Sequence, residues 1–214
     1  MAVSVLQLTE LALHGAAFLC GIPPPATASR WQGEFGGSCI LYGTVSWNGT
    51  ALAPKSFSHV SLCYFVSAIS ILVALYCFSS LLYGIYGCCT DEPRWDRSGL
   101  SITLVVVAAV ILFFLLISAC ILRVGMDAFC ASIEQTKSLG SCQEAEHKPW
   151  ASYSPVRFYS NLYSAQASAW VNVFLWCLLT AWLLLQRRGA TPCPPLRRPD
   201  PETEAICGGR PIRP

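Results

Sequence analysis

Leu100 to Leu122 reads LSITLVVVAAVILFFLLISACIL and contains no charged side chain. A hydrocarbon core of about 30 Å is crossed by roughly 20 apolar residues, because a helix rises about 1.5 Å per residue. Two further uncharged runs flank this stretch along the chain, from Ser61 to Thr90 and from Phe158 to Gln186. The sequence therefore predicts a multi-pass membrane protein.

The overall composition supports the same conclusion. The 214 residues are 54% apolar and only 12% charged, whereas about 25% of the residues in soluble domains are charged. The net charge of +2 says little by itself, and we expect no nucleic-acid partner. What matters is where the basic residues lie relative to the spans, because Lys and Arg near span ends favour the cytosolic side.

The first apolar segment is interrupted by Glu10. A carboxylate at the centre of a membrane helix opposes insertion by about 2.5 to 3.5 kcal/mol. Glu10 lies near the start of the segment, however, where a carboxylate can reach the interface or be shielded by neighbouring helices. We interpret residues 5–22 as a first span. The alternative is a cleaved signal peptide over residues 1–28, with the small residues 26–28 (ATA) as its cleavage site.

Four spans place two loops on one side of the membrane and both termini on the other. The predicted helical domain covers residues 1–188, with spans at about 5–22, 63–87, 100–122 and 167–186 and outer loops at 23–62 and 123–166. The basic residues nearest to span ends favour a cytosolic side that holds Arg94, Arg97, Arg187 and Arg188. Arg123 is the exception. We therefore predict that the N- and C-termini are cytosolic.

The first outer loop contains Asn48-Gly49-Thr50, which matches the N-glycosylation pattern. That modification occurs only on the lumenal or extracellular side. The same residues are typical of a type I′ hairpin turn, because strand-prone residues flank them on both sides. The two interpretations are compatible, and we predict a hairpin with Asn48 as its candidate glycosylation site.

Four of the twelve cysteines fall in the outer loops or at a loop exit, namely Cys39, Cys63, Cys130 and Cys142. An even number in an oxidising compartment suggests disulfides, for which three connectivities exist. Pairing within each loop is the first choice, because each pair then brackets a short segment and the loops need not meet. The alternative is four free thiols.

Cys88 and Cys89 lie where the second predicted span meets the cytosol. This is a typical place for reversible S-palmitoylation, which would add an apolar anchor at the inner leaflet. The alternative is that both are packing residues or unmodified thiols.

The tail over residues 189–214 is rich in proline and arginine and lacks an apolar stripe. Such a composition predicts disorder. Within it, Pro192, Pro195 and Arg197 match the PxxPxR pattern of polyproline-II ligands of SH3 domains. The tail is therefore a candidate ligand for an SH3-domain partner.

The second outer loop contains enough aromatic and apolar residues to be folded. It opens with apolar residues that fit one face of a helix, Phe129, Ile133 and Leu139. The approach to the fourth span carries aromatic residues typical of an interfacial anchoring belt, Trp150, Tyr153, Phe158 and Tyr159.

Glu10 and His14 form an ionisable pair on one face of the first predicted helix. An intramembrane pair of this kind is a candidate functional site, for example a proton-linked gate. Signatures of catalysis are missing from the sequence, which has no Gly-x-Ser-x-Gly elbow, His-Glu-x-x-His pair, phosphate-binding glycine loop or Cys-x-x-Cys pair. We expect no enzymatic activity, no cofactor and no metal.

Several strings resemble the transmembrane protein 179 family. They cover nearly all four spans and both outer loops: ELAL at 10–13, AAFLCG at 16–21, CILYG at 39–43, SLCYFV at 61–66, SACILR at 118–123 and FYSNL at 158–162. The resemblance implies a claudin-like fold, in which an all-α, left-handed bundle of four transmembrane helices carries a small extracellular β-hairpin or sheet as a cap. Claudins also carry Gly-Leu-Trp before two closely spaced cysteines, and this loop has Trp31 and Cys39 without that sequence. A role in tight junctions or paracellular pores is therefore not implied.

Together these features predict a non-enzymatic membrane protein that contacts other membrane proteins, or organises the membrane, through disulfide-braced outer loops. The alternative is a small channel or transporter with Glu10 and His14 near its pathway. We expect it in the plasma membrane or in secretory or endosomal vesicle and granule membranes. The expected partners are the lipid bilayer, membrane proteins and an SH3 domain.

Overall fold

The computed structural model describes residues 5–21, 35–89, 97–136, 140–151 and 157–189. Four α-helices and a two-stranded hairpin make up most of these residues. In chain order the elements are α1 (Val5–Gly21), β1 (Cys39–Trp47), β2 (Leu52–Ser58), α2 (Val60–Cys89), α3 (Arg97–Glu134), a 3₁₀ helix (Glu144–His147) and α4 (Phe158–Gly189). The predicted fold class, a mainly helical membrane protein with a hairpin between its first two helices, is confirmed.

Three of the described helices, α2, α3 and α4, are long and apolar enough to cross a membrane. The shorter α1 has 17 residues, which corresponds to about 26 Å of helix. The longest is α3, whose 38 residues extend over about 57 Å and therefore exceed the hydrocarbon core by more than 20 Å. Part of α3 must stand outside the bilayer.

The helix α3 continues without a break where the sequence analysis ended its span at residue 122. The reason is that apolar residues go on recurring every three or four positions and are buried: Leu115, Ala119, Leu122, Met126, Phe129 and Ile133. Phe129 and Ile133 therefore lie on one helix face, as predicted, but on the third helix itself and not on a separate one.

The helices contact one another in the cyclic order α1, α2, α3, α4, with α4 returning to α1. Helices α1 and α2 run antiparallel, since Gly15 lies beside Leu81 whereas Gly21 lies beside Ala74. Leu11 packs so closely on Gly84 that a side chain at that glycine would collide with it. The outward faces of the long helices remain apolar, as expected of surfaces covered by lipid: Leu72, Leu75, Val106, Val110, Phe113 and Phe174 are examples.

Strands β1 and β2 pair antiparallel from Cys39 opposite Ser58 to Trp47 opposite Leu52. The predicted hairpin is therefore confirmed, but its predicted type I′ turn is wrong. That turn needs positive φ at both central residues, and of Asn48 and Gly49 only the glycine has it, at 83°. The Trp47–Leu52 pair instead leaves four connecting residues, and the Asn48 N–H donates to the Ala51 carbonyl at 3.0 Å.

Candidate functional site

The described residues beyond the outer ends of the predicted spans form one folded unit, which we call the cap. It consists of residues 35–58, the end of α3 from residue 123, and residues 140–151. Two disulfides brace it. One joins Cys39 at the start of β1 to Cys63 in the first turns of α2, and the other joins Cys130 on α3 to Cys142. The pairing is the one within each loop.

These disulfides close segments of 24 and 12 residues. In the chain-entropy account, loops of this size stabilise the folded state by about 3 kcal/mol each, because the unfolded chain loses freedom. The first also fixes the hairpin to a membrane helix. The cap is therefore held to the bundle by covalent bonds at α2 and α3.

Strand β1 docks directly on the projecting end of α3. The buried Leu41 lies against Gly125, where an added Cβ would come within 2.8 Å of the leucine Cγ. Two turns further along α3, the Ser132 hydroxyl accepts a hydrogen bond from the Val45 N–H at 2.8 Å. The absence of a side chain at Gly125 lets the two backbones approach, and the serine satisfies a strand N–H that has no strand beside it on that edge.

The middle of β1 is irregular. The pairing register shifts between Cys39 and Thr44, and Tyr42 has a φ of 60°, in the left-handed region. The following Gly43 is required, because a Cβ there would meet the Ile40 carbonyl oxygen at 2.9 Å and the Ser56 carbonyl oxygen at 3.0 Å. A non-glycine residue in this region is strained by about 1 to 2 kcal/mol. Tyr42 nevertheless keeps 37% of its surface exposed.

An aromatic cluster lies where the cap meets the bundle. Its rings meet edge to face, with centroids 5.5 Å apart for Phe35 and Trp150, 5.5 Å for Trp150 and Phe158, and 5.9 Å for Phe129 and Phe158. The Trp150 indole N–H donates to the Ala145 carbonyl at 3.1 Å. Edge-to-face pairs of this kind add about 0.5 to 1.5 kcal/mol beyond the burial of their area.

This cluster corrects the predicted interfacial belt. Phe158 is fully buried and Trp150 half-buried, because both pack on cap residues and not on lipid. Tyr159 does lie at the side of α4, stacked on Tyr163 with centroids 6.2 Å apart. Tyr153 lies outside the described residues.

Residues 140–151 lie against both the hairpin and α4. The Leu52 N–H donates to the Pro149 carbonyl at 3.0 Å, and the Ala151 N–H donates to the Leu52 carbonyl at 2.9 Å, so this segment adds a short parallel bridge beside β2. The Ser160 hydroxyl of α4 donates to the Glu146 carboxylate at 3.1 Å. These bonds make the cap a single body continuous with the bundle.

The outer surface of the cap is mixed in character. The hairpin tip exposes Asn48, and β2 exposes Lys55 and Phe57. The Arg123 guanidinium, whose charge ended the predicted third span, pairs with Asp127 at 3.0 Å on the exposed side of α3. Among the described residues, no group of three or more His, Cys, Asp or Glu side chains is placed to hold a metal ion. The exposed surface of the cap thus presents aromatic, hydroxyl and charged groups.

The predicted ionisable pair lies on α1, within the helical bundle and outside the cap. His14 is buried between α2 and α4, with its ring centroid 6.3 Å from those of both Tyr76 and Trp176. Its Nδ1 lies 2.9 Å from the backbone carbonyl oxygen of Glu10. The imidazole therefore contacts the backbone of Glu10, four residues earlier, in an aromatic environment.

The remaining predicted sites are placed only in part. Cys88 and Cys89 are the last residues of α2. The SH3-type motif of Pro192, Pro195 and Arg197 lies outside the described residues, as does the rest of the tail from residue 190.

Sequence reasoning missed the residues that dock the cap. Gly125 and Ser132 are seven positions apart, so they lie on the same face of the helix. No local sequence pattern, however, predicts that a strand packs against that face. Phe35 lies in a glycine-rich stretch with no periodic pattern. A signal was available for α3 in the buried spacing of Phe129 and Ile133, which continues the spacing of the third span.

Comparison with known proteins gives a match over almost the whole chain. The family model described as Transmembrane protein 179/179B Claudin domain matches residues 6–203. The chain is 45% identical over 216 residues to transmembrane protein 179B of Homo sapiens, covering 98% of both chains. It is 44% identical over 214 residues to transmembrane protein 179B of Mus musculus, covering 97% of both, and 43% identical over 190 residues to that of Danio rerio, covering 87% of this chain and 86% of the relative. No solved structure matches it.

Proposed function

Because this chain belongs to the transmembrane protein 179/179B family of claudin-like membrane proteins, we propose that it is a non-enzymatic multi-pass protein that binds partner membrane proteins through its cap. The observation that carries the proposal is a rigid cap that displays Tyr42 in a strained conformation. Strained residues cluster at binding sites, and exposed tyrosines are enriched among residues that dominate binding energy.

The rigidity of the cap favours binding. A loop that orders only when it meets a partner loses conformational freedom at that moment, which weakens affinity. Here Cys39 and Cys130 are in disulfides, and Val45 is hydrogen-bonded to α3. The surface around Tyr42 is therefore ordered before any partner arrives, and an ordered surface of this kind is suited to another folded protein.

The proposal is tested by proximity labelling and crosslinking from intact membranes, comparing wild type with Tyr42→Ala. We expect the variant to reach the membrane at normal levels and to lose at least one reproducible partner. Tyr83→Ala is the matched control, since this tyrosine is 75% exposed but lies near the opposite end of α2 from the cap. Equal recovery of all partners by wild type and both variants would contradict the proposal.

We further infer that the cap faces the lumen or the cell exterior, in the plasma membrane or in secretory or endosomal vesicle and granule membranes, with both termini in the cytosol. Two disulfides need an oxidising compartment, and Asn48 is exposed at the hairpin tip, where a glycan would meet no obstacle. A glycosidase-sensitive mobility shift that disappears in Asn48→Gln would support this orientation. Labelling of a C-terminal epitope on intact, unpermeabilised cells would refute it.

The cytosolic side supplies two further proposed sites. Cys88 and Cys89 end a membrane helix, where palmitoylation would add an anchor, and replacing both with serine should abolish acyl-exchange labelling there. Pro192, Pro195 and Arg197 would bind an SH3 domain. Pull-down by a panel of SH3 domains should be lost on Arg197→Ala, and a tail that binds none of them would remove this partner.

The alternative of a small channel or transporter with Glu10 and His14 near its pathway is less well supported. The His14 ring is packed by Tyr76 and Trp176 and contacts the Glu10 backbone, which is an arrangement suited to helix packing. Flux measurements on reconstituted protein decide between the two functions, because a pathway using this pair should respond to Glu10→Gln.

A further inference from the structure

The buried side of α4 carries three polar atoms without a hydrogen-bond partner among the described residues: Gln166 Oε1, Asn172 Oδ1 and Trp176 Nε1. These residues are 6%, 2% and 1% exposed. The neighbouring α3 adds a fourth such atom, the Oγ of Ser118, which is 3% exposed. We call these four residues the polar column.

The four residues are spread along the bundle axis. Gln166 and Trp176 are ten residues apart, which is about 15 Å along the helix axis. Phe129 of α3 meets Phe158 of α4 at the cap, and eleven residues further into the bundle α3 reaches Ser118 while α4 reaches a point between Gln166 and Asn172. The polar column therefore runs from the cap side of the bundle, at Ser118 and Gln166, to its middle, at Asn172 and Trp176.

Orphaned polar atoms at this depth are costly, because no bulk water or polar lipid group can satisfy them. Elsewhere the described helices avoid that cost by bonding hydroxyls to their own backbone: Ser70 donates to the Val66 carbonyl at 2.9 Å and Thr180 to the Trp176 carbonyl at 2.7 Å. Ser118 does not follow this pattern. Its hydroxyl and the two amide oxygens are buried without a hydrogen bond to their own helices.

The surroundings of Asn172 are small and partly polar. Its amide nitrogen lies 3.6 Å from the position that a Cβ on Gly21 would take, and the Ala74 Cβ and Ser70 carbonyl oxygen lie 3.7 and 3.9 Å from the same position. Three helices therefore meet at this point with little side-chain volume. A further buried polar atom, Trp182 Nε1, also lacks a partner but lies beyond Leu179, nearer to the end of α4.

We propose that the bundle interior binds a short, closed file of water molecules along the polar column. The column needs an occupant that both donates and accepts, because Asn172 Oδ1 and Gln166 Oε1 accept only, whereas the Trp176 indole N–H donates only. Water does both and usually makes about three hydrogen bonds when buried. Phe158 and Leu179, 0% and 1% exposed, lie on α4 before and after the column, and we place the ends of the file between them.

The direct test is water-edited NMR of the full chain in lipid nanodiscs, with ¹⁵N-labelled Asn, Gln and Trp. We expect rapid magnetisation transfer from water to the side-chain N–H groups of Asn172, Gln166 and Trp176. The indole of Trp170, on the outward side of α4, is the control and should receive less. Absence of transfer to all three column residues would overturn the proposal, and this test needs no variant that has to fold.

A second test uses the sign of a stability change. Ser118→Ala and Asn172→Leu each remove one polar group of the column. If these groups hold water, both variants should lower the thermal midpoint by several degrees, and together by less than the sum, because they share a network. If the groups have no hydrogen-bond partner, both variants should raise the thermal midpoint. That result would contradict the proposed file of water molecules. Ser79→Ala, an exposed serine bonded to its own helix, should change little.

Discussion

The docking of the cap on α3 can be tested by adding one methyl group at the contact between Leu41 and Gly125. In Gly125→Ala, the new Cβ would lie 2.8, 2.9 and 3.0 Å from three carbon atoms of the Leu41 side chain. Leu41 is fully buried and its strand is tied at Cys39 and Val45. The leucine therefore has no open space to enter, and β1 must shift away from α3.

The expected magnitude combines two opposing effects. Overpacking a tight contact costs about 1 to 3 kcal/mol, while alanine in a helix interior is about 1 kcal/mol better than glycine. The free energy of unfolding should therefore fall by up to about 2 kcal/mol, the balance of these two terms. For a domain of this size the thermal midpoint would drop by up to roughly 8 °C.

The assay is thermal unfolding of purified protein in detergent, with Gly87→Ala as the matched control. Gly87 is also in a membrane helix but has no atom within 4 Å of its added Cβ, so this variant should be neutral or slightly more stable. Leu41→Ala alone should be destabilising because it removes a buried side chain. The double variant Gly125→Ala with Leu41→Ala should lose less than the sum of both. A stabilising Gly125→Ala, equal to Gly87→Ala, would refute the docking.

Three further predictions concern the cap. Ser132→Ala should cost about 1 kcal/mol, because the Val45 N–H loses its acceptor, whereas Ser132→Thr should retain the bond; thermal midpoints distinguish them. Tyr42→Gly should stabilise the fold by about 0.5 to 1 kcal/mol by relieving the left-handed strain, while partner recovery in crosslinking falls. Replacing Cys130 and Cys142 together with serine should lower the free energy of unfolding by about 3 kcal/mol. The thermal midpoint of the variant should lie closer to that of reduced wild type than to that of oxidised wild type.

The spans were predictable from the sequence because membrane insertion depends on local composition. The end of α3 was not, since the predicted span stopped at Arg123, and a charge marks where a helix leaves lipid without marking where the helix ends. Arg123 bonds Asp127 one turn later on the exposed side, and the buried side continues through Phe129 to Ile133. The periodic pattern of apolar residues therefore predicts the end of α3 better than the position of Arg123 does.

The features that depend on contacts between residues far apart in the sequence were harder to predict. The hairpin was predicted from strand-prone residues, but its turn was not, because the register is set by the irregularity around Tyr42 and by docking on α3. The disulfide pairing within each loop was the first choice among three connectivities, and the structure has that pairing, but spacing alone does not bring thiols together. Asn172 is a polar residue within an apolar run, but its burial beside Gly21 depends on α1 lying between α2 and α4.

The strain at Tyr42 connects the architecture of the cap with its proposed function. A hairpin selected only for stability would carry glycine or asparagine at a left-handed position. This chain instead has a tyrosine there, held by the disulfide at Cys39 on one side and by the Val45 bond to Ser132 on the other. Those two constraints stabilise the cap by more than the strain costs. The proposed partner-binding role would explain why an aromatic side chain occupies a position at which glycine would give a more stable fold.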